Sequence, residues 1–210
     1  MTRILYLHGF ASSPASSKAR YFREHLEEAG ARVDVPDLAA GDFEHLSITG
    51  QLAVIEQVAA GDAISLIGSS LGGYLAALYA ARHPEVRRLV LLAPAFAFAR
   101  LWNSTQASAD QVEEWRRTGS MEVFHYGENR NCRLGYQLLA DAGRYEDLPD
   151  FYQPALIFHG LHDDSVPVSS SREFSARHPN AALEVLDSDH QLFDMLDYMA
   201  PKITRFLISG

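Results

Sequence analysis

The sequence predicts an α/β fold, a doubly wound and mostly parallel sheet with helices on both faces. Its strongest candidate strands, Ile4-Leu5-Tyr6-Leu7, Ala63-Ile64-Ser65-Leu66-Ile67, Arg88-Leu89-Val90-Leu91-Leu92-Ala93 and Ala155-Leu156-Ile157-Phe158, are continuous apolar runs, not the alternating pattern of a sheet with one wet face. Helical periodicity fills most of the gaps between them. In addition, Gly68-Ser69-Ser70-Leu71-Gly72 joins one strand directly to a helix through a sharp turn. Strand and helix alternating in this way give right-handed crossovers and bring reactive groups to the carboxyl ends of the strands.

Taken in order, the first strand ends at His8-Gly9 and a loop runs through Pro14. A helix over about Ser16 to Ala29 follows, its buried stripe marked by Phe22 and Leu26 and its end by Gly30. Arg32 to Pro36 reads as a short strand near a sheet edge, because proline cannot donate to a ladder. Ile48, Leu52, Ile55 and Ala59 mark a second helix, and Leu71, Leu75 and Leu78 the helix after the turn. Late in the chain come the strands Ala155–Phe158 and Ala182–Leu186 and a final helix around Met195 to Leu207.

One connection, from Pro94 to Pro154, is far longer than a crossover requires. Within it Ser108, three residues before Gln111, caps a helix to Arg117. Met121 to Tyr126 alternates like a short strand, and Leu134, Leu138 and Ala142 mark another helix. Both tryptophans, Trp102 and Trp115, lie here. Residues 95–150 are expected to form a small cap insertion over a pocket, within one domain spanning 1–210; the alternative is an elaborated crossover whose aromatics pack against the sheet.

The chain has 210 residues, 47% of them hydrophobic, enough for one sizeable core. A net charge of −9 with scattered basic residues argues against nucleic acid and anionic membrane surfaces as partners. Cys132 is the only cysteine, so neither an internal disulfide nor a cysteine metal cluster forms. No apolar run approaches the ~20 residues of a membrane span, and the first apolar run is broken at His8-Gly9, well short of a signal-peptide core. The expected location is the cytoplasm.

Ser70 is the candidate nucleophile. A serine hydroxyl is weakly nucleophilic near neutral pH and needs a base to take its proton and a carboxylate to orient that base. Candidates follow the last two strands, in Gly160-Leu161-His162-Asp163-Asp164 and in Ser188-Asp189-His190. His190 is the expected base, because it alone among nine histidines follows the final strand in a loop free to reach the serine. His25, His45, His83 and His178 have polar neighbours and are expected at the surface. His8 and His159 precede glycine at strand ends, where histidine packs and bonds to backbone, and His125 could line the pocket from the insertion. The acid comes from the adjacent pair Asp163 and Asp164, with Asp189 as a local alternative. The backbone N–H groups of Phe10 and Leu71 are the expected oxyanion donors. His159, His162, Asp163 and Asp164 match no strong metal signature, so no metal and no cofactor is expected.

The segments Tyr6-Leu7-His8-Gly9-Phe10-Ala11-Ser12-Ser13-Pro14 and Leu66-Ile67-Gly68-Ser69-Ser70-Leu71-Gly72-Gly73-Tyr74 resemble the small bacterial YqiA-like esterases of the α/β-hydrolase superfamily. The resemblance is strongest over the N-terminal hundred or so residues and returns at the acid and histidine loops. It implies a minimal α/β-hydrolase fold and cofactor-free hydrolysis of carboxylic esters, with thioesters also possible. The superfamily's Gly-x-x-Asp-x-x-Val-Pro loop maps onto Gly160, Asp163, Val166 and Pro167, which selects Asp163 as the acid.

The leading expectation is therefore a serine carboxylesterase acting on small-molecule esters with small or medium acyl chains. An acyl thioesterase or a carbon–carbon bond hydrolase with the same triad is the enzyme alternative. A ligand-binding protein that has lost catalysis is the alternative of another class. Oligomeric state is not readable from the sequence.

Overall fold

The computed structural model describes residues 1–103 and 108–208; positions 104–107 of the predicted insertion, and 209–210, lie outside the described residues. Among the described residues the chain runs β1 (Arg3–Leu7), α1 (Ser17–Glu28), β2 (Arg32–Asp34), α2 (Ile48–Ala59), β3 (Ser65–Ser69), α3 (Leu71–Ala80) and β4 (Leu89–Leu92). It continues through α4 (Phe98–Leu101), α5 (Ala109–Thr118), β5 (Ser120–His125), β6 (Arg130–Gly135) and α6 (Gln137–Ala142). It ends with β7 (Ala155–Gly160), α7 (Val168–Arg177), β8 (Ala181–Leu186), a 3₁₀ turn at Phe193–Met195 and α8 (Leu196–Ile208).

Six strands form a sheet in the order β2-β1-β3-β4-β7-β8, every neighbouring pair parallel. The order reverses between β1 and β3, which opens a crevice at their carboxyl ends. Alternation along the strands builds two cores, one on each face. Leu5, Leu7, Leu89 and Leu91 enter one; Ile4, Tyr6, Val90 and Leu92 enter the other. As the proline at its end predicted, β2 is an edge strand. Helix α3 is buried along its whole length, as an apolar helix in the middle of such a sheet must be.

Several boundaries differ from the sequence reading. β3 starts and ends two residues later than the apolar run, because Gly68 and Ser69 still pair with Leu91 and Leu92. Leu134 belongs to β6, not to the following helix: β5 and β6 pair as an antiparallel hairpin, and Cys132 and Leu134 point inward from alternate positions. His178, expected at the surface, is buried; its ring stacks on Phe174 at 3.9 Å between centroids, and its Nδ1 hydrogen-bonds the Phe174 carbonyl at 2.8 Å.

The insertion contains α4, α5, the β5–β6 hairpin and α6, and α5 begins with the predicted capping box between Ser108 and Gln111. Its tryptophans are buried, with Trp102 5.3 Å from Trp115 and the Trp115 indole N–H donating to the Leu134 carbonyl at 3.0 Å, whereas Phe124 and Tyr126 on the hairpin are exposed. The hairpin tip is fastened to the loop after β1, where Tyr126 N–H donates to the Ala11 carbonyl at 2.8 Å.

Candidate active site

The turn between β3 and α3 holds Ser70 at φ 54° and ψ −119°, a conformation that non-glycine residues rarely adopt. The surroundings enforce it. A Cβ on Gly68 would collide with the Gly72 backbone, and one on Gly72 would collide with the Leu7 and His8 carbonyls. Only glycine lets strand, helix and β1 approach this closely. The serine backbone is anchored on both sides, its N–H donating to Leu92 O at 2.8 Å and its carbonyl accepting from Ala95 N at 3.0 Å.

Loops after β7 and β8 bring two further side chains to this turn. His190 Nδ1 lies 2.7 Å from Asp163 Oδ2, and its Nε2 lies 3.1 Å from Ser70 Oγ. A carboxylate only accepts, so Nδ1 carries the proton and the serine hydroxyl donates to Nε2. The imidazole is 15% exposed and the carboxylate fully buried. Of the two adjacent aspartates, only Asp163 reaches the histidine; Asp164 is exposed and accepts from the Ser165 hydroxyl at 3.1 Å. Asp189 instead caps its own turn, accepting from the N–H groups of Gln191 and Leu192 at 2.8 and 3.2 Å.

Asp163 is surrounded by donors. Its Oδ1 accepts from Ser165 N–H at 2.9 Å and Val166 N–H at 2.7 Å, while His159 Nε2 approaches Oδ2 at 3.1 Å. Burial alone would raise its pKa, but the hydrogen bonds from His159 and His190 outweigh it and hold the carboxyl well below the usual range. The Val166 carbonyl accepts from His159 Nε2 at 2.9 Å and the Ser171 hydroxyl donates to Nδ1 at 2.7 Å, which fixes the tautomer of that fully buried ring. The sequence reading gave His159 backbone contacts but missed its carboxylate. The available signal was its spacing, four residues before Asp163.

The two residues expected to supply amide donors border the same cavity. Phe10 and Leu71 both line it, and neither N–H has an acceptor among the described residues. Leu71 opens α3, where the first N–H groups have no partner within the helix. Phe10 is oriented indirectly. His8 Nδ1 binds the Gly9 carbonyl at 3.0 Å, and a trans peptide sends the following N–H the opposite way. Burial pushes the His8 imidazole pKa down, against the hydrogen bond to the Gly9 carbonyl, which raises it; the contact requires only that Nδ1 carry the proton.

The cavity above Ser70 has a volume of about 580 Å³. One wall is apolar, formed by Leu71, Phe98, Leu101, Trp102 and Val166. Trp102 also meets Phe10 edge to face at 5.2 Å, so the insertion supplies part of the wall. His125 does not line the cavity but packs on Phe43 at 4.6 Å; its neighbour Tyr126 lines it instead. The opposite corner is polar and contains Lys18, which sequence reasoning passed over. Its signal was a basic residue on the stripe of α1 that buries Ala19, Phe22 and Leu26.

The possible metal ligands are spread apart: His159 faces Asp163, whereas His162 pairs with the exposed Asp187 at 2.7 Å. Among the described residues no group of three or more His, Cys, Asp or Glu side chains is gathered to hold an ion. No helix among them is long and apolar enough to cross a membrane.

A parallel sheet with a serine on the turn after β3, an aspartate after β7 and a histidine after β8 defines the α/β-hydrolase superfamily, and this chain has that fold. Within it, the chain belongs to the Uncharacterised protein family UPF0227, which it matches over residues 3–207. Poly(3-hydroxyalkanoate) depolymerase of Ectopseudomonas oleovorans is 29% identical over 173 residues, a match taking in 69% of this chain but only 60% of that protein. Mitochondrial palmitoyl-protein thioesterase ABHD10 of Bos taurus is 26% identical over 216 residues, covering 92% of this chain and 68% of the relative. The structure of Est1E from Butyrivibrio proteoclasticus with ferulic acid bound superposes with a TM-score of 0.85 at 21% identity, over 100% of this chain and 89% of that one.

Proposed function

We propose that the protein is a serine hydrolase that cleaves carboxylic esters of small or medium acyl chains through an acyl-enzyme. The observation that carries this reading is the continuous hydrogen-bond path from Ser70 Oγ through His190 to Asp163, at 3.1 and 2.7 Å. Ser70 attacks the ester carbonyl while His190 Nε2 takes its proton. Asp163 holds the Nδ1 tautomer and stabilises the imidazolium that forms. The N–H groups of Phe10 and Leu71 receive the oxyanion, a contribution on the order of 2.7–4 kcal/mol per donor. His190 then protonates the departing alcohol and activates the water that releases the acid.

The cavity volume and its apolar wall support an acyl group of modest length. A thioester is the second reading, favoured by the thioesterase named among the relatives. Residues 95–150, of which Phe98, Trp102 and Tyr126 line the cavity, are read as a cap within a single 1–210 domain.

Labelling with a fluorophosphonate tests the mechanism: the unaltered chain is expected to be modified and Ser70→Ala to be inert. Rates on matched oxygen and sulfur esters separate the two substrate readings. A folded protein that takes no label and hydrolyses neither would overturn the proposal.

A further inference from the structure

Lys18 is an unusual residue for its position. It lies in the first turn of α1 with only 6% of its surface exposed, and its ammonium reaches Ser69 Oγ at 3.2 Å. Ser69 immediately precedes Ser70, and consecutive Cα atoms lie about 3.8 Å apart. The ammonium and the attacking serine border the same cavity. Among the described residues no carboxylate lies within 4.0 Å of the Lys18 nitrogen. Asp163 and Asp189 are the acids whose charge reaches it. Both are already engaged, Asp163 by two histidines and two amides, Asp189 by the amides of its own turn.

An ammonium has three donors, and this one uses one of them on a neutral hydroxyl. The Phe193 ring lies 5.5 Å from it. The cavity lining contains no Asp, Glu or Arg, so Lys18 is its one lysine, arginine or acidic side chain among the described residues. The other polar groups of this lining, among them Tyr6, Ser16, Ser69 and Gln191, can all donate a hydrogen bond as well. Burial pushes the Lys18 ammonium pKa down to about 8, leaving it still charged at neutral pH but poorly solvated. A desolvated cation with no carboxylate in contact, on the lining of a substrate cavity, is matched by an anion that enters it. A chain of net charge −9 repels anions at long range, which makes a local cation necessary to hold one.

We propose that Lys18 recognises a carboxylate carried by the substrate close to its scissile ester, so that the preferred substrates are esters of dicarboxylic or hydroxycarboxylic acids. This inference rests on the hydrolase reading and narrows its substrate class. The carboxylate belongs either to the acyl part or to the alcohol part. The chemistry at Lys18 is the same for both.

Two matched pairs of substrates test it on the full chain. The 4-nitrophenyl esters of succinate (the half-ester) and butyrate carry the charge difference on a four-carbon acyl group. O-Acetyl-lactate and its methyl ester carry it on the alcohol. In at least one pair the charged member is expected to have the higher kcat/KM. In Lys18→Met the ratio of charged to neutral kcat/KM for that pair is expected to fall about 10- to 100-fold, the range of a hydrogen-bonded ion pair. The pair that responds identifies the side bearing the carboxylate. No preference in either pair, or a ratio unchanged by Lys18→Met because both members slow equally, overturns the inference and makes Lys18 a tether for Ser69. If no ester is hydrolysed, the hydrolase reading fails by itself, and quenching of Trp102 fluorescence by butyrate and by butyramide decides the role of Lys18. Tighter binding of butyrate that is lost in Lys18→Met supports the inference, and equal binding of the two overturns it.

Discussion

His159 Nε2, whose proton is shared with the Val166 carbonyl, and His190 Nδ1 converge on the same oxygen of Asp163, at 3.1 and 2.7 Å, from different strands' ends. With two amides on the other oxygen, the carboxylate has a donor at each of its lone-pair positions. A buried acid so fully bonded cannot turn, and the ring it orients is held with it.

Replacing His159 by leucine removes one of these donors and strands the Ser171 hydroxyl and the Val166 carbonyl. The expected loss of stability at neutral pH is about 2–3 kcal/mol. Asp163 has a folded pKa below its unfolded value of about 3.9, so its ionised form stabilises the fold above that pH and the contribution fades as pH falls further. The gap between His159→Leu and the unaltered chain should therefore be full near pH 7 and narrow below about pH 4, as followed by urea melts at a series of pH values. A gap independent of pH would leave His159 a packing residue only.

At Lys18 the charge costs stability, where at Asp163 it supplies it, although both contributions rise with pH. The lysine's folded pKa, about 8, lies below the ordinary value of 10.5, so the charged form is disfavoured in the fold. The unfolded chain binds more protons between those values, and stability rises with pH across that window. Lys18→Met is expected to be more stable at pH 7 by about 3 kcal/mol, with the advantage shrinking from pH 8 to 10.5. Chemical denaturation at pH 7 and pH 10 reads this directly. A variant less stable than its parent at both would show that the lysine contributes to the fold.

The backbone at Ser70 stores strain that glycine would not. Ser70→Gly is expected to melt later, by about 1–3 kcal/mol, while kcat falls by about 10⁴- to 10⁶-fold. Calorimetry and ester turnover on one preparation test both halves. A destabilised Ser70→Gly would mean that the hydroxyl contributes more to the fold than its backbone costs.

Trp102 contributes its indole to the apolar lining of the cavity. Trp102→Ala is expected to cost about 3–5 kcal/mol and to move the preferred acyl chain toward greater length, measured with a series of 4-nitrophenyl esters. An unchanged optimum would place the acyl group elsewhere in the cavity.

Much of this was legible in the sequence because it depends on local pattern. Apolar runs and helical stripes located all six strands of the main sheet and most of its helices, and the glycines flanking Ser70 located the turn. Chain order then indicated which loops meet. What escaped depends on partners distant along the chain. Leu134 has helical spacing to Leu138, yet pairs across a hairpin whose turn residues, Gly127 to Asn129, were the clue. His178 has polar neighbours in sequence but aromatic ones in space. Lys18 lies four residues before Phe22 on the buried stripe of α1, but a linear pattern does not reveal that the first turn of this helix faces the cavity.

The bond from Tyr126 to Ala11 ties the hairpin tip to the very loop that carries Phe10. A guest too bulky for the cavity has to push that tip outward, and the amide that would steady the reacting carbonyl is dragged along. Oversized esters should consequently dock yet turn over slowly, so that size is policed in kcat more than in KM.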